Sequence, residues 1–145
     1  MNWERLKERI KRHEGLRLKP YKDTTGKLTI GYGRNLEDVG ITEKEAEFLL
    51  DEDIRRAYVQ YLTGIPHNVQ RMLTEEGEEV LVEMIFQMGL SKVLGFQKTL
   101  KAIAEGDAET AYKEMLDSRW ARQCPNRAKE LAEIMRERGM RGGRK

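Results

Sequence analysis

The sequence predicts an α+β protein, a bilobed domain whose small β-hairpin lobe and larger all-helical lobe are joined by a long helix. Apolar residues recur at helical spacing at the start of the chain, glycines and strand-forming residues follow, and only helical patterns come after residue 42. The 145 residues suit one compact domain. The predicted boundaries are 14–42 for the small lobe, 43–62 for the connecting helix, 1–13 with 65–138 for the helical lobe, and 139–145 for a loose tail.

The first helix is predicted from Trp3, Leu6, Ile10 and His13, which lie three or four residues apart with charged residues between them. Asn2 is a suitable N-cap, because its side chain can accept a hydrogen bond from the first turn. The helix is expected to end near His13.

The β-hairpin is predicted from residues that interrupt helices. Leu28 to Tyr32 is rich in strand formers and follows the turn sequence DTTGK. The interrupting residues are Gly15, Pro20, Gly26, Gly31 and Gly33.

The long helix begins at a capping box, Thr42 with Glu45 three residues later, and stops before Gly64 and Pro66. Apolar stripes beyond Pro66 predict several packed helices, with a cleft between the two lobes as the expected site. The expected helix boundaries are N-caps at Thr74 and Asp107, junctions at Gly95 and Gly106, and a last helix from Pro125 to about Arg138.

Composition excludes some classes of protein. The mean hydropathy of −0.74 excludes a membrane-spanning protein, while 39% hydrophobic residues suffice for a core. The formal net charge is +2, but residues 1–22 hold eight basic and three acidic side chains and residues 36–53 hold one basic and eight acidic ones. This polarity favours an anionic polymer as partner. The single Cys124 excludes an internal disulfide and is expected to be buried.

Three residues are candidates for chemistry. Glu14 lies at the carboxyl end of the first helix, where the helix dipole disfavours a charged carboxylate and suits a proton donor. Asp23 heads a turn, and Thr29 lies on the following strand. Spacing alone leaves open that all three are ordinary surface residues.

The run EGLRLKPYKDTTGKLTIGYGR, from Glu14 to Arg34, resembles the phage-type lysozymes, particularly those of the T-even phages. Further similar segments follow in the same order: ITEKEAEFLLDEDI from Ile41, FQMG from Phe86, GF at Gly95 and SRWARQCPNRA from Ser118. Together they cover nearly the whole chain.

The resemblance implies an inverting muramidase without metal or cofactor that hydrolyses the β-1,4 bond between N-acetylmuramic acid and N-acetylglucosamine in peptidoglycan. It implies that Glu14 is the general acid, that Asp23 is the second carboxylate and acts through water, and that Thr29 helps to hold that water. The alternatives are a lytic transglycosylase, which attacks intramolecularly, and a catalytically silent peptidoglycan-binding module.

The resemblance also implies a biological setting, that of a bacteriolytic endolysin of a phage or prophage. The protein is expected to be a monomer that acts on glycan strands. It is expected to bind no nucleic acid and to have no stable association with a membrane. The amino-terminal segment lacks the apolar run of a signal peptide, so accumulation in the host cytoplasm and release through a holin-made lesion are expected.

Further site residues follow from the resemblance. Gln87 either contacts sugar amides or makes a structural hydrogen bond. Trp120 either lies in the core or contacts sugar, and Phe86 is expected in the core. An ion pair of Arg34 with Asp53 is expected, and Arg127 is expected near the catalytic glutamate. The implied substrate-binding residues are Phe86, Gln87, Trp120, Gln123 and Asn126.

The sequence departs from the T-even pattern in the small lobe. Only seven residues separate Arg34 from Thr42, so a third strand and a short helix are expected to be missing. Neither His13 nor His67 has companions at metal-ligand spacing. The basic end, comprising Arg136, Arg138, Arg141, Arg144 and Lys145, is expected to be a solvated tail rather than a nucleic-acid-binding module.

Overall fold

The computed structural model of the chain describes residues 1–142. Within them lie nine helices and one antiparallel sheet of three strands, which confirms the predicted α+β class. The chain divides into two compact units, Met1–Leu49 and a second unit that begins at Leu50. The predicted grouping of residues 1–13 with the helical lobe differs from this division and stays a prediction.

The first helix, α1, spans Trp3–Glu14. As predicted, Asn2 caps it, and its side-chain oxygen accepts a hydrogen bond from the Arg5 N–H at 2.9 Å. None of its twelve residues is buried. The helix ends because Gly15 adopts a φ of 72°, a conformation that favours glycine.

The sheet follows in the order β1-β2-β3. Its strands are β1 (Arg17–Lys22), β2 (Leu28–Gly31) and β3 (Arg34–Asn35). The third strand, expected to be missing, is therefore present: Arg34 pairs with Ile30, and Asn35 pairs with Thr29. Two residues suffice because the chain reverses tightly after β2, and residues 36–39 then continue as turns rather than as a helix.

The long helix α2 spans Glu43–Gly64 and ends two residues later than predicted. Its capping box is confirmed, since Glu45 Oε1 accepts from the Thr42 N–H at 2.9 Å and Thr42 Oγ1 accepts from the Glu45 N–H at 3.1 Å. Among the described residues, no helix is both long and apolar enough to cross a membrane.

The helices after α2 enclose a hydrophobic core. Thr74 and Asp107 are helix N-caps, and Pro125 opens the last helix, as predicted. Tyr61, Met84 and Met115 are fully buried in this core. The helices are α3 (His67–Gln70), α4 (Glu75–Met88), α5 (Leu90–Leu94), α6 (Gln97–Ala104), α7 (Ala108–Leu116), α8 (Arg119–Gln123) and α9 (Pro125–Arg138).

The segment after α9 differs from the expected loose tail. Met140 is buried and forms an isolated β-bridge with Leu73. The Arg141 N–H donates to the Met72 carbonyl at 2.7 Å, and Arg141 Nε donates to the Leu73 carbonyl at 3.0 Å. These contacts fix the chain as far as Arg141, whereas Arg144 and Lys145 lie outside the described residues.

Candidate active site

Glu14 is the last residue of α1, and its side chain is exposed beside the turn that connects β2 and β3. A Cβ placed on Gly33 in that turn would lie 3.0 Å from Glu14 Oε2. Lys11, one helical turn earlier, places its Nζ 5.6 Å from the centre of the Tyr32 ring. The end of α1 therefore contacts this turn.

Gly33 is not among the predicted site residues, because the sequence indicates it only as a residue that interrupts a helix. Its φ of 88° lies in the region that favours glycine, and its missing side chain lets the backbone approach the carboxylate. The glycines at positions 31 and 33 indicate a turn, but no local pattern indicates that this turn lies beside Glu14, which is 19 positions earlier in the chain.

Asp23 is half-buried and organises the turn between β1 and β2. Its Oδ1 accepts hydrogen bonds from Thr25 Oγ1 at 2.7 Å, from the Thr25 N–H at 2.9 Å and from the Lys27 N–H at 2.9 Å. The Thr25 hydroxyl, followed by the Lys27 N–H, lowers the pKa of Asp23, because both stabilise the charged carboxylate. Asp23 is therefore an ionised carboxylate at neutral pH.

Thr29 lies on β2 and is 3% exposed. Its hydroxyl donates to the Lys27 carbonyl at 2.9 Å, so the Oγ1 oxygen is left as an acceptor toward any further partner. The same carbonyl accepts from the Asp23 N–H at 2.9 Å. The backbone of Lys27 thus connects Asp23 and Thr29.

Arg34 does not form the expected ion pair with Asp53. Its two guanidinium Nη atoms donate to the two Glu45 carboxylate oxygens, each at 2.9 Å, and Nη1 also donates to the Gly40 carbonyl at 3.0 Å. Asp53 instead pairs with Arg56 at 2.8 Å. The short connection after β3 brings Arg34 to the first turn of α2, where Glu45 lies. Arg34, followed by the Thr42 N–H, lowers the pKa of Glu45 to about 2.

In the second unit, Gln87 makes the structural hydrogen bond that was one of its two predicted roles. Its Oε1 accepts from Trp120 Nε1 at 2.9 Å, and its Nε2 donates to Cys124 Sγ at 3.4 Å. Trp120 is 7% exposed and packs edge-to-face on Phe96, whereas Cys124 is half-buried rather than buried. These contacts hold Gln87 and Trp120 in one arrangement.

Gln87 and Trp120 lie on the wall of a cavity of about 810 Å³, together with Gln123. The structure therefore brings three of the five predicted substrate-binding residues together. Asn126 is exposed and does not line this cavity. Charged side chains of both signs also line the cavity: Lys92, Lys98, Glu114, Asp117 and Arg119.

Phe86, expected in the core, is instead 41% exposed. It lines a second cavity of about 560 Å³, together with Tyr58 of α2 and Arg127 of α9. Arg127, expected near the catalytic glutamate, donates from its Nε to Glu83 Oε2 at 2.8 Å. The structure thus separates Phe86 from the cavity of Gln87 and gives Arg127 a carboxylate partner within its own unit.

The candidate site suits proton transfer. An exposed carboxyl group, an ionised carboxylate and a hydroxyl oxygen that accepts hydrogen bonds are groups that protonate a leaving oxygen and activate a water molecule. Within residues 1–142, no group of three or more His, Cys, Asp or Glu side chains is placed to hold a metal ion.

The chain is similar to known proteins over most of its length. The family model described as phage lysozyme matches residues 11–140. The probable T4-type lysozyme 1 of Dictyostelium discoideum is 31% identical over 90% of this chain and 92% of its own length. An endolysin of Acyrthosiphon pisum secondary endosymbiont phage 1 is 32% identical over 81% of this chain and 77% of its own length.

A further relative is a longer protein. The pre-baseplate central spike protein Gp5 of Enterobacteria phage T4 is 32% identical over 90% of this chain, but the match covers 27% of its own length. The similarity thus extends over nearly the whole of this chain in proteins of different size. The chain belongs to the phage lysozyme family and is a lysozyme, a hydrolase of peptidoglycan.

Proposed function

We propose that this lysozyme is a muramidase that hydrolyses the β-1,4 bond between N-acetylmuramic acid and N-acetylglucosamine with inversion at the anomeric carbon. Glu14 protonates the leaving oxygen, Asp23 activates water, and Thr29 orients that water. The observation that carries the proposal is the connection of Asp23 and Thr29 through Lys27, since it holds a base and a water-orienting hydroxyl in fixed relation.

The hydrogen bonds of Asp23 and Thr29 support their different roles. Because the Thr29 proton is donated to the Lys27 carbonyl, Oγ1 can accept one hydrogen from the water. The other water hydrogen passes to the Asp23 carboxylate as the water oxygen attacks the anomeric carbon. The bond from that carbon to the leaving oxygen breaks, and the leaving oxygen takes the proton of Glu14.

The position of Glu14 supports its role as the acid. It is the last residue of α1, and its carboxyl group is exposed, so a leaving oxygen of the substrate can reach it. Gly33 lies close to Glu14 and leaves Glu14 Oε2 accessible, since glycine has no side chain to cover that oxygen.

The 810 Å³ cavity supports Gln87, Trp120 and Gln123 as substrate-binding residues. Both ends of the Gln87 amide already have partners, so we assign contacts with sugar or peptide groups to Gln123, which lines this wall together with Gln97. We assign Phe86 and Asn126 to weaker contacts, because they lie outside this cavity.

The biological role that we propose is that of an endolysin. The monomer accumulates in the host cytoplasm and reaches the cell wall through a holin-made lesion. Two observations support this role: the similarity to a phage endolysin, and the cationic amino-terminal segment, which suits an anionic wall polymer. A holin supplied in trans should therefore be required for lysis of intact cells, whereas isolated cell walls should need the lysozyme alone.

The stereochemistry of the product tests the mechanism. Digestion of a soluble peptidoglycan fragment, followed by proton NMR before mutarotation, should show the α reducing end first. An initial β product would require a covalent or substrate-assisted route and would remove the role assigned to Thr29. A 1,6-anhydro end would identify a lytic transglycosylase, and unchanged turbidity of a wall suspension would identify a binding module.

A further inference from the structure

The ion pair between Arg34 and Glu45 connects two elements of the first unit. Arg34 belongs to β3, and Glu45 lies in the first turn of α2. Both guanidinium–carboxylate hydrogen bonds measure 2.9 Å, a two-point contact that fixes the orientation of both side chains. Glu45 Oε1 also accepts from the Thr42 N–H, so the pair is built into the cap of α2.

Arg34 directly follows Gly33, the residue whose backbone approaches the Glu14 carboxylate. The turn is held on one side by the backbone pairing of Ile30 with Arg34. On the other side, the Arg34 side chain fixes the turn to the start of α2 through Glu45 and the Gly40 carbonyl. A shift of Arg34 would therefore move Gly33 relative to Glu14.

Because the pair is exposed, an effect on the position of the Gly33 turn can be distinguished from a general effect on stability. The side chains of Arg34 and Glu45 are 38% and 41% exposed. Ion pairs at this exposure contribute little to the free energy of unfolding, because solvent screens the charges. The two-point geometry, in contrast, restricts how β3 and the start of α2 are oriented to each other.

We propose that Arg34 and Glu45 are positioning residues for the reaction, which hold the Gly33 turn against Glu14 and so fix where the general acid presents its proton. The proposal rests on the proposed role of Glu14. It adds two residues that act through Gly33 without touching the substrate.

The first test measures kcat and KM for Arg34→Met, Glu45→Gln and the double variant. Glutamine at position 45 can still accept from the Thr42 N–H, so the α2 cap is retained. We expect kcat to fall by roughly 10- to 100-fold, the effect of misplacing a reacting group by about 1 Å, with KM nearly unchanged. The double variant should lose no more than the single variants, since each removes the same contact.

Arg34→Lys and a control pair sharpen this test. Lysine keeps the charge but not the two-point contact, so it should restore part of the kcat that Arg34→Met loses. The control is the pair of Arg138 with Glu76 in the second unit, at 2.6 Å with side chains 55% and 47% exposed. Arg138→Met and Glu76→Gln should keep the wild-type kcat.

The second test does not depend on activity. The ¹³C chemical shift of the Glu14 carboxyl carbon, measured at one fixed pH, should change in Arg34→Met and Glu45→Gln but not in Arg138→Met. Wild-type kcat in folded Arg34→Met, or a lowered kcat with an unchanged Glu14 shift, overturns the positioning role. A fall in kcat that only follows the folded fraction, measured by circular dichroism, overturns it as well.

The two tests also separate this inference from the proposed function. If Glu14→Gln retains activity, the proposed function fails whatever Arg34→Met does. If Glu14→Gln is inactive while Arg34→Met has normal kcat and a normal Glu14 shift, the proposed function stands and the positioning role fails.

Discussion

The two compact units are stabilised by different kinds of contact. In Met1–Leu49, Thr29 is the only buried residue, and the local structure rests on the three-stranded sheet, helix caps, turns and ion pairs. In the described part of the second unit, a continuous core runs from Ala57 to Met140. The proposed catalytic residues all lie in the first unit. Substitutions there should therefore act on geometry and rate, whereas substitutions in the buried core of the second unit should act on the free energy of unfolding.

The largest expected effect is that of Glu14→Gln. Glutamine keeps the size and hydrogen-bonding capacity of the side chain but has no proton to transfer. Loss of general acid catalysis should lower kcat by about 100- to 10,000-fold on a wall suspension. Because Glu14 is exposed at a helix end, the circular dichroism spectrum and thermal midpoint should match those of the wild type. Wild-type rates in the folded variant would remove Glu14 from the mechanism.

The core of the second unit should give the complementary result. Met115 is fully buried in α7, so Met115→Ala should lower the free energy of unfolding by about 2–5 kcal/mol, measured by guanidinium denaturation. Ile10→Ala, on the half-exposed face of α1, should change it by roughly 0.5 kcal/mol or less. Similar losses from both substitutions would contradict the contrast between the units.

The patterns that the sequence predicted well are local ones. Asn2, the Thr42–Glu45 capping box and Pro125 are confirmed, because each depends on residues within one helical turn. The candidate residues Glu14 and Asp23 were indicated by a continuous run of residues similar to a known family, rather than by their spacing.

What the sequence did not predict depends on contacts distant in the chain. The partner of Arg34 changes from Asp53 to Glu45, because the length of the connection after β3 decides which carboxylate lies nearby. Met140 pairs with Leu73, a partner 67 positions away, which no local pattern indicates. The choice between sugar contact and structural hydrogen bond at Gln87 likewise required the position of Trp120.

A smaller effect on rate is expected for Thr29→Val, which replaces the hydroxyl by a methyl group at similar volume. Loss of the oxygen that accepts from the water should lower kcat by about 100-fold. Loss of one hydrogen bond should cost only about 1 kcal/mol of stability. Thr63→Val is the control, because Thr63 also donates to a backbone carbonyl at 2.9 Å but lies in the second unit. If Thr29→Val and Thr63→Val had the same kcat, Thr29 would be excluded from the reaction.

The smallest effect concerns the pH dependence of stability in the first unit. The pKa of Glu45 is lowered from 4.5 to about 2 by Arg34 and the Thr42 N–H. A carboxylate with a lowered pKa in the folded state contributes stability that is fully present above its ordinary pKa and is lost as the pH falls through the folded value. The contribution of Glu45 should therefore disappear between about pH 4.5 and pH 2, and it should be small because the pair is exposed. Glu45→Gln has no charge to lose, and Arg34→Met removes the largest cause of the shift, so both should show a shallower fall of the thermal midpoint over this range. A slope identical to that of the wild type in both variants would mean that the first unit does not rely on this ion pair for stability in acid.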